Sequence, residues 1–264
     1  MDTGVRQVRA ELRKFFTTRM WWGVAIGVFI CGAGLAVLFA LLAGQGDPQQ
    51  GGLPDLDTPN MVNTVYTSGL TFAYLLTLTV GVLTIGSEYR HMTITSTFLA
   101  TPRRVTVMLA KVASLLVIGV LYGLVFLLGA VSAGAIVIST RGFAPFPDTG
   151  IPRTLALSLL VLGLWALMGL GAGILIPNQV AAILIAVGVA WIVEPVAALL
   201  LGLADWGRDV AKFLPSQATA AMVSQVTTGE TVRLTWWGGA LALAAYAVVL
   251  AGIGSWLTVR RDVS

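Results

Sequence analysis

Six long runs of apolar residues, separated by short polar stretches, dominate the sequence. Each run is long enough, at about 1.5 Å of helix per residue, to cross the roughly 30 Å of hydrocarbon in a bilayer. The pattern predicts an all-α polytopic membrane protein whose residues 1–264 form a single transmembrane domain. Its six transmembrane helices are predicted at 21–43, 61–86, 108–139, 152–176, 180–203 and 235–258.

The segment before the first span, residues 1–20, has a helical pattern of its own. Between residues 5 and 19, apolar side chains recur at spacings of three and four, with the basic residues largely on other faces. This predicts an amphipathic helix lying in the membrane surface. The alternative is a basic flank that only fixes the orientation of the chain. The apolar positions are Val5, Val8, Leu12, Phe15 and Phe16.

Three pairs of glycines stand four residues apart within the predicted spans: Gly23 and Gly27, Gly119 and Gly123, and Gly169 and Gly173. Small residues at this spacing let transmembrane helices approach closely. In a chain with 30 glycines such pairs also arise by chance, so they indicate packing only.

Composition and charge agree with a membrane protein, since 57% of the residues are hydrophobic and only 11% are charged. Most of the 16 Lys and Arg residues lie before the first span, in the connection between the second and third spans, and at the C-terminus. The positive-inside rule therefore predicts that both termini are cytoplasmic. Because the basic residues follow topology, no nucleic-acid partner is expected.

Several kinds of chemistry are excluded by residue type. One cysteine, Cys31, and one histidine, His91, cannot form a disulfide framework or a multi-ligand metal site, so neither a metal nor another cofactor is expected in this chain. A phosphate-binding loop needs a Lys preceded by Gly, but the three lysines follow Arg13, Ala110 and Ala211. The spans also lack a nucleophile–base arrangement, so the chain is predicted not to be an enzyme. If ATP drives it, another chain hydrolyses that ATP.

Glu194 is the one acid well inside a predicted span, and Pro195 follows it. Ionisable residues in spans are costly and mark functional sites by default. One interpretation is a structural pairing with Arg208 or Lys212, if the outer segment 204–234 folds back into the membrane. The other is a role in a substrate path or dimer seam. Pro195 further predicts a kinked helix at this point.

The connection between the second and third spans, residues 87–104, is too short for a domain but has a clear pattern. The stretch from Glu88 to Leu99 could form a short helix with apolar and polar sides, which Pro102 would end. A short amphipathic helix at the base of a membrane domain suits docking into a groove of a partner.

This connection resembles the corresponding loop of the ABC-2 type permeases, the membrane subunits of ATP-binding-cassette exporters. That loop reads approximately Glu-x-Arg-x-Gly-Thr, a hydrophobic stretch, Pro-x-Arg and a Lys, and Met92 stands here where the family commonly has Gly. Bacterial members of actinobacterial type also show three further pairs, present here as Asn178-Gln179, Glu194-Pro195 and Leu214-Pro215. The matching loop residues are Glu88, Arg90, Thr93, Pro102, Arg104 and Lys111.

The resemblance implies a permease subunit in a bacterial plasma membrane that exports a hydrophobic or amphiphilic compound. It implies a dimer with itself or a similar chain, contact with membrane lipids, and two copies of a cytosolic ATPase that holds ATP and Mg. The residues implied for coupling to the ATPase are Glu88, Tyr89, Arg90, Thr93, Phe98, Pro102 and Arg104, and those implied for the path or dimer seam are Glu194 and Pro195. A Glu88→Lys reversal is expected to uncouple transport without unfolding the chain.

Two other functions stay open at this point. An ion-coupled secondary transporter acting alone would use Glu194 as its titratable group. A membrane scaffold or sensor subunit would transport nothing by itself.

Overall fold

The computed structural model describes residues 3–45, 52–90, 104–176, 178–223 and 234–260, and every regular element in these ranges is helical. A π-helical turn, Val189–Val193, separates α7 (Gln179–Gly188) from α8 (Glu194–Gly202). The helices are α1 (Thr3–Thr17), α2 (Met20–Leu42), α3 (Pro59–Thr67), α4 (Leu70–Arg90), α5 (Arg104–Thr140), α6 (Ile151–Leu175), α7 (Gln179–Gly188), α8 (Glu194–Gly202), α9 (Asp205–Ala211), α10 (Pro215–Val223) and α11 (Trp236–Arg260).

Six segments of the described chain are long and apolar enough to cross a membrane, which confirms the predicted number of spans. Two of them are less regular than predicted. The second span bends at Ser68 and Gly69 into α3 and α4, and the fifth consists of α7, the π-helical turn and α8. A glycine is needed at this break, because a side chain at position 69 would collide with the backbone of Cys31 in α2.

The central helix of the bundle is α6, which packs against α4, α5 and α11. Glycines make these contacts close: a Cβ atom on Gly169 would overlap the backbone of Leu78, and one on Gly119 would overlap Gly163. The close packing predicted from two of the glycine pairs is therefore confirmed. The third prediction is wrong for Gly23, which has open space around its Cα.

The helix predicted near the N-terminus is present as α1, and it packs along α5. Phe15 is buried and meets Tyr122 edge-on, with 6.1 Å between ring centroids. The predicted apolar face is only partly correct. Val5 and Phe16 are exposed, and Glu11 lies on the inward face instead.

The two ends of the bundle carry different groups. At one end, which we call the α1 end, α1 meets the last turns of α4 and the first turns of α5, and Gly86 of α4 contacts Gln179 at the start of α7. At the other, the far end, the short helices α9 and α10 form the described part of segment 204–234. The short helix predicted between Glu88 and Leu99 lies almost entirely outside the described residues.

Candidate functional site

The residues predicted to couple to an ATPase flank a stretch outside the described chain. Glu88, Tyr89 and Arg90 form the last turn of α4, and Arg104 is the first residue of α5. Thr93, Phe98 and Pro102 lie outside the described residues. Arg90 is exposed and Tyr89 packs partly into the core, so the three residues of this turn have different surroundings.

Glu88 is buried in a cluster of charges rather than displayed on the surface. Its carboxylate Oε1 accepts a hydrogen bond of 2.7 Å from the Lys111 ammonium of α5, whose side chain is 1% exposed. The same ammonium donates to Oε2 of Glu11 in α1 at 2.9 Å. Lys111 thus joins three helices at the α1 end.

A fourth residue, Lys14, balances the charge of this cluster. Its ammonium donates to Glu11 Oε1 at 3.0 Å and to Glu88 Oε1 at 3.1 Å. Two carboxylates and two ammonium groups then offset each other. Such pairing is what makes buried charges tolerable, because an unpaired charge in a low-dielectric interior is very costly. We call Glu11, Lys14, Glu88 and Lys111 the charge cluster.

The pKa values of the two α1 members of the charge cluster reflect this pairing. Burial alone would raise the pKa of Glu11, but the ammonium of Lys111, helped by that of Lys14, outweighs burial and holds this pKa below its usual value. Burial would likewise lower the pKa of Lys14, but hydrogen bonding to Glu11 and the charge of Glu88 raise it above its usual value. Each group therefore favours the charged form of the other.

The charge cluster is suited to holding helices together rather than to catalysis. Both carboxylates bind ammonium groups, and the described residues contain no group of three His, Cys, Asp or Glu side chains that could hold a metal ion. Oε2 of Glu88 is buried and has no hydrogen-bond partner among the described residues, so it is one acceptor still available at this site.

The burial of Glu88 changes the interpretation of this residue. With 6% of its surface exposed, it cannot serve as an open contact for a partner in this conformation. A Glu88→Lys reversal would place a third ammonium beside Lys111 and Lys14, so the expectation that the variant stays folded does not fit this geometry.

Sequence reasoning identified Lys111 as part of a motif but did not single out Glu11. A signal was available, since Glu11 is three residues after Val8 and four before Phe15, the spacing of the inward face of a helix. An acid on that face predicts a basic partner. The partner itself could not be predicted, because Lys111 is 100 residues away in the sequence.

Two residues at the α1 end, Asn178 and Gln179, hold the start of α7 in place. The Asn178 side chain caps α7 by accepting the backbone N–H groups of Val180 and Ala181 at 3.0 and 3.1 Å. Gln179 lies against Gly86 of α4, which places the start of α7 beside the last turn of α4. These contacts fix α7 relative to the helix that bears Glu88.

A second buried acid, Glu194, lies toward the far end. It follows the π-helical turn, and its backbone N–H bonds to Val189 O, five residues earlier. Pro195 stands in the first turn of α8, where its missing N–H is tolerated. The kink predicted at this proline stays a prediction, and what the structure shows directly before it is a turn of wider helix. Such turns are frequent at functional sites.

The carboxylate of Glu194 caps a different helix. Its Oε2 accepts the backbone N–H of Ser216 in α10 at 2.8 Å, and the Ser216 side chain is a further hydrogen-bond partner. The predicted pairing with Arg208 or Lys212 is wrong, because each pairs with the acid three residues before it. Arg208 lies 3.4 Å from Asp205, and Lys212 lies 2.9 Å from Asp209. The short spacing within α9 makes those local pairs easier to form.

Buried polar and aromatic groups hold α10 from its other side. The Trp165 indole of α6 donates to Oγ1 of Thr219 at 3.0 Å. The ring of Trp165 stacks on Tyr74 of α4, with 4.0 Å between centroids and 15° between planes. Helix α10 is thus attached to α8 through Glu194 and to the centre of the bundle through Trp165.

No protein-family model matches the chain, and no curated protein shows detectable similarity to it.

Proposed function

We propose that the chain is the permease subunit of an ATP-binding-cassette exporter of the ABC-2 type, which moves a hydrophobic or amphiphilic compound across a bacterial plasma membrane. The observation that carries the proposal is the charge cluster. It ties α1 to both helices that flank residues 91–103, the segment proposed to dock on a cytosolic ATPase.

The charge cluster gives a path for movement from that segment into the membrane. A displacement of residues 91–103 acts on the ends of α4 and α5, and Lys111 makes these ends and α1 move together. Helix α4 packs closely on α6 through glycines, so its movement reaches the centre of the bundle. In this mechanism Glu88 is a positioning residue, and the exposed Arg90 of the same turn is the proposed contact with the ATPase.

The fifth span supports pairing with a second permease. Helices α7 and α8 contact mainly α4, α6 and the short far-end helices, and they leave large apolar side chains exposed along their outer side. Leu184 is 68% exposed and Leu199 is 69% exposed. We propose this side as the seam with a second copy or a similar chain, with the substrate path between the two.

The energy source is proposed to be a separate chain. None of the three lysines follows a glycine, so the phosphate-binding loop that holds ATP and Mg has no place in this sequence. The chain therefore contributes the membrane path, and two copies of the ATPase contribute hydrolysis.

Purification of the tagged chain from its native membrane in mild detergent tests the proposal. We expect a stoichiometric partner that contains Gly-x-x-x-x-Gly-Lys-Ser/Thr and releases phosphate from ATP. Arg90→Gln is expected to reduce recovery of this partner about fivefold or more, as loss of an interface arginine commonly does. Arg208→Gln, which removes the same charge at the far end, is the matched control. Recovery without any ATPase, or equal recovery with both variants, contradicts the proposal.

A second candidate function, an ion-coupled carrier acting alone, is favoured by one observation. Among the described residues no Lys or Arg forms an ion pair with Glu194. A carboxyl group in such surroundings can exchange a proton. Transport by the purified chain in liposomes under an ion gradient, without any ATPase, would support this function instead. No transport under either condition would indicate a scaffold or sensor.

A further inference from the structure

We propose that Glu194 and Ser216 form a latch that holds α10 at the far end, and that a cationic group on a lipophilic substrate releases it. The proposal deepens the proposed function by naming a substrate class, and it rests on that function only in that α10 closes the far end of a transport path. Three features of the described residues support it: the cap on α10, a carboxylate whose described partners are neutral donors, and aromatic rings on the neighbouring helices.

The latch is a helix cap supplied by another helix. The first backbone N–H groups of a helix have no partner within it. In α10 the N–H of Ser216 donates to Glu194, which is 6% exposed. This contact is partly buried, so water replaces such a partner poorly, and loss of the carboxylate would leave the end of α10 unsatisfied. Glu194 therefore determines where α10 can rest.

The carboxyl has only neutral donors among its described partners. The two basic residues that the structure describes in segment 204–234 are engaged elsewhere, Arg208 with Asp205 and Lys212 with Asp209. The Ser216 N–H is a neutral donor, whereas an ammonium would add the attraction of a full positive charge to its hydrogen bond with the carboxylate. An ammonium group that reached Glu194 would thus compete with Ser216, and no Lys or Arg among the described residues already pairs with this carboxylate.

Aromatic rings meet where α4 contacts the fifth span. Phe72 of α4 meets Trp191 of the π-helical turn edge-on, with 5.9 Å between centroids, and both rings are partly exposed. Tyr74, also in α4, stacks on Trp165, whose indole donates to Thr219 of α10. Carboxylates together with aromatic faces are the groups that recognise organic cations. The surroundings of Glu194 therefore favour a lipophilic amine over an anion.

Hydrogen–deuterium exchange of the purified full chain in lipid nanodiscs tests the latch, read by mass spectrometry on peptides covering residues 214–223. Glu194→Ala removes the acceptor and is expected to speed exchange at the start of α10 about fivefold or more, the usual effect of losing a cap. Glu194→Gln keeps an amide oxygen as acceptor, so its exchange is expected to stay close to that of the native chain. Unchanged exchange in α4 and α6 shows that each variant is folded.

Dodecylammonium, with uncharged dodecanol as its match, tests the cation. We expect dodecylammonium to speed exchange of residues 214–223 in the native chain and not in Glu194→Gln, and dodecanol to have no effect on either. The proposal is overturned if the ammonium has no effect on the native chain, if it acts equally on Glu194→Gln, or if Glu194→Ala exchanges like the native chain. Because no ATPase is present, these results are independent of the co-purification.

Discussion

Lys111 has the most unusual surroundings of any charged residue in the described chain. Its side chain is 1% exposed and its ammonium binds carboxylates from two other helices, Glu11 of α1 and Glu88 of α4. Lys14 contacts the same carboxylates, but 53% of its side chain is exposed to solvent. The two lysines therefore carry the same charge within one cluster and differ mainly in burial.

Substitution of the two lysines separates the effect of burial from that of charge. Lys111→Met leaves two buried carboxylates with one ammonium and is expected to cost about 3–5 kcal/mol, or about 6–20 °C in Tm. Lys14→Met removes a solvent-screened partner and is expected to cost about 1 kcal/mol or less. Unfolding of both variants in one detergent, followed by tryptophan fluorescence, measures the difference.

The double variant Glu88→Leu/Lys111→Met serves as the control for this prediction. It leaves Glu11 paired with Lys14, so most of the stability lost in Lys111→Met should return. Equal shifts in Tm for Lys111→Met and Lys14→Met, or no recovery in the double variant, would show that the charge cluster does not hold the helices.

The partners of individual site residues could be predicted only where they are local. The pairs of Arg208 with Asp205 and of Lys212 with Asp209 follow from a spacing of three residues. The bond from Ser216 to Glu194 spans 22 residues and depends on how α10 folds back, so the sequence did not predict it. Glu194 itself could be identified, because a lone acid in an apolar run stands out in the sequence however the helices pack.

At the scale of the helices, length and apolar content predicted the six spans well, whereas the breaks in them depend on neighbours. The second span bends where Gly69 meets the backbone of α2. The sequence pattern, which does not include that contact, predicts one continuous helix. The π-helical turn in the fifth span is similarly recognised only from its backbone hydrogen bonds, which the sequence pattern does not show. Spacing alone also could not separate glycines in contact from glycines facing open space.

Two glycine substitutions distinguish these cases. Gly169→Ala would drive a methyl group into the backbone of Leu78, and overpacking of this kind is expected to cost about 1–3 kcal/mol. Gly23→Ala meets nothing within 4 Å and is expected to leave stability unchanged or slightly higher, since alanine favours helix. Thermal unfolding of both variants in detergent, with folded yield as a second measure, checks the difference. Unchanged stability in Gly169→Ala would contradict the close packing of α6 on α4, and a loss in Gly23→Ala would contradict the open space around Gly23.

At the scale of the whole molecule, charge distinguishes the two ends of the bundle. The α1 end carries the basic residues of α1 and Arg90. At the far end, the two acids of α9 are balanced by Arg208 and by Lys212, which follows the helix. Such an asymmetry sets the orientation of a membrane protein. The α1 end is therefore predicted to face the cytoplasm, which is also where an ATPase would be.

Single cysteines in a Cys31→Ser chain test this orientation. Thr17→Cys is exposed at the end of α1, and Thr149→Cys is exposed in the connection between α5 and α6. A membrane-impermeant maleimide added to intact cells should label the cysteine at 149 and spare the one at 17, and inverted vesicles should give the reverse. Permeabilised cells, in which both should react, control for access. Labelling of position 17 in intact cells would place the α1 end outside.

The 100 residues that separate Glu11 from Lys111 also set an order of events during synthesis. At about 5–20 residues per second, the ribosome completes α1 roughly 5–20 s before Lys111 emerges. Until then Glu11 lacks its buried partner, and α1 has no α5 to pack on. Docking of α1 on α5 can therefore occur only after the third span has been inserted. A nascent chain that stalls before that point would expose an undocked basic helix, which cellular quality-control proteases could cleave.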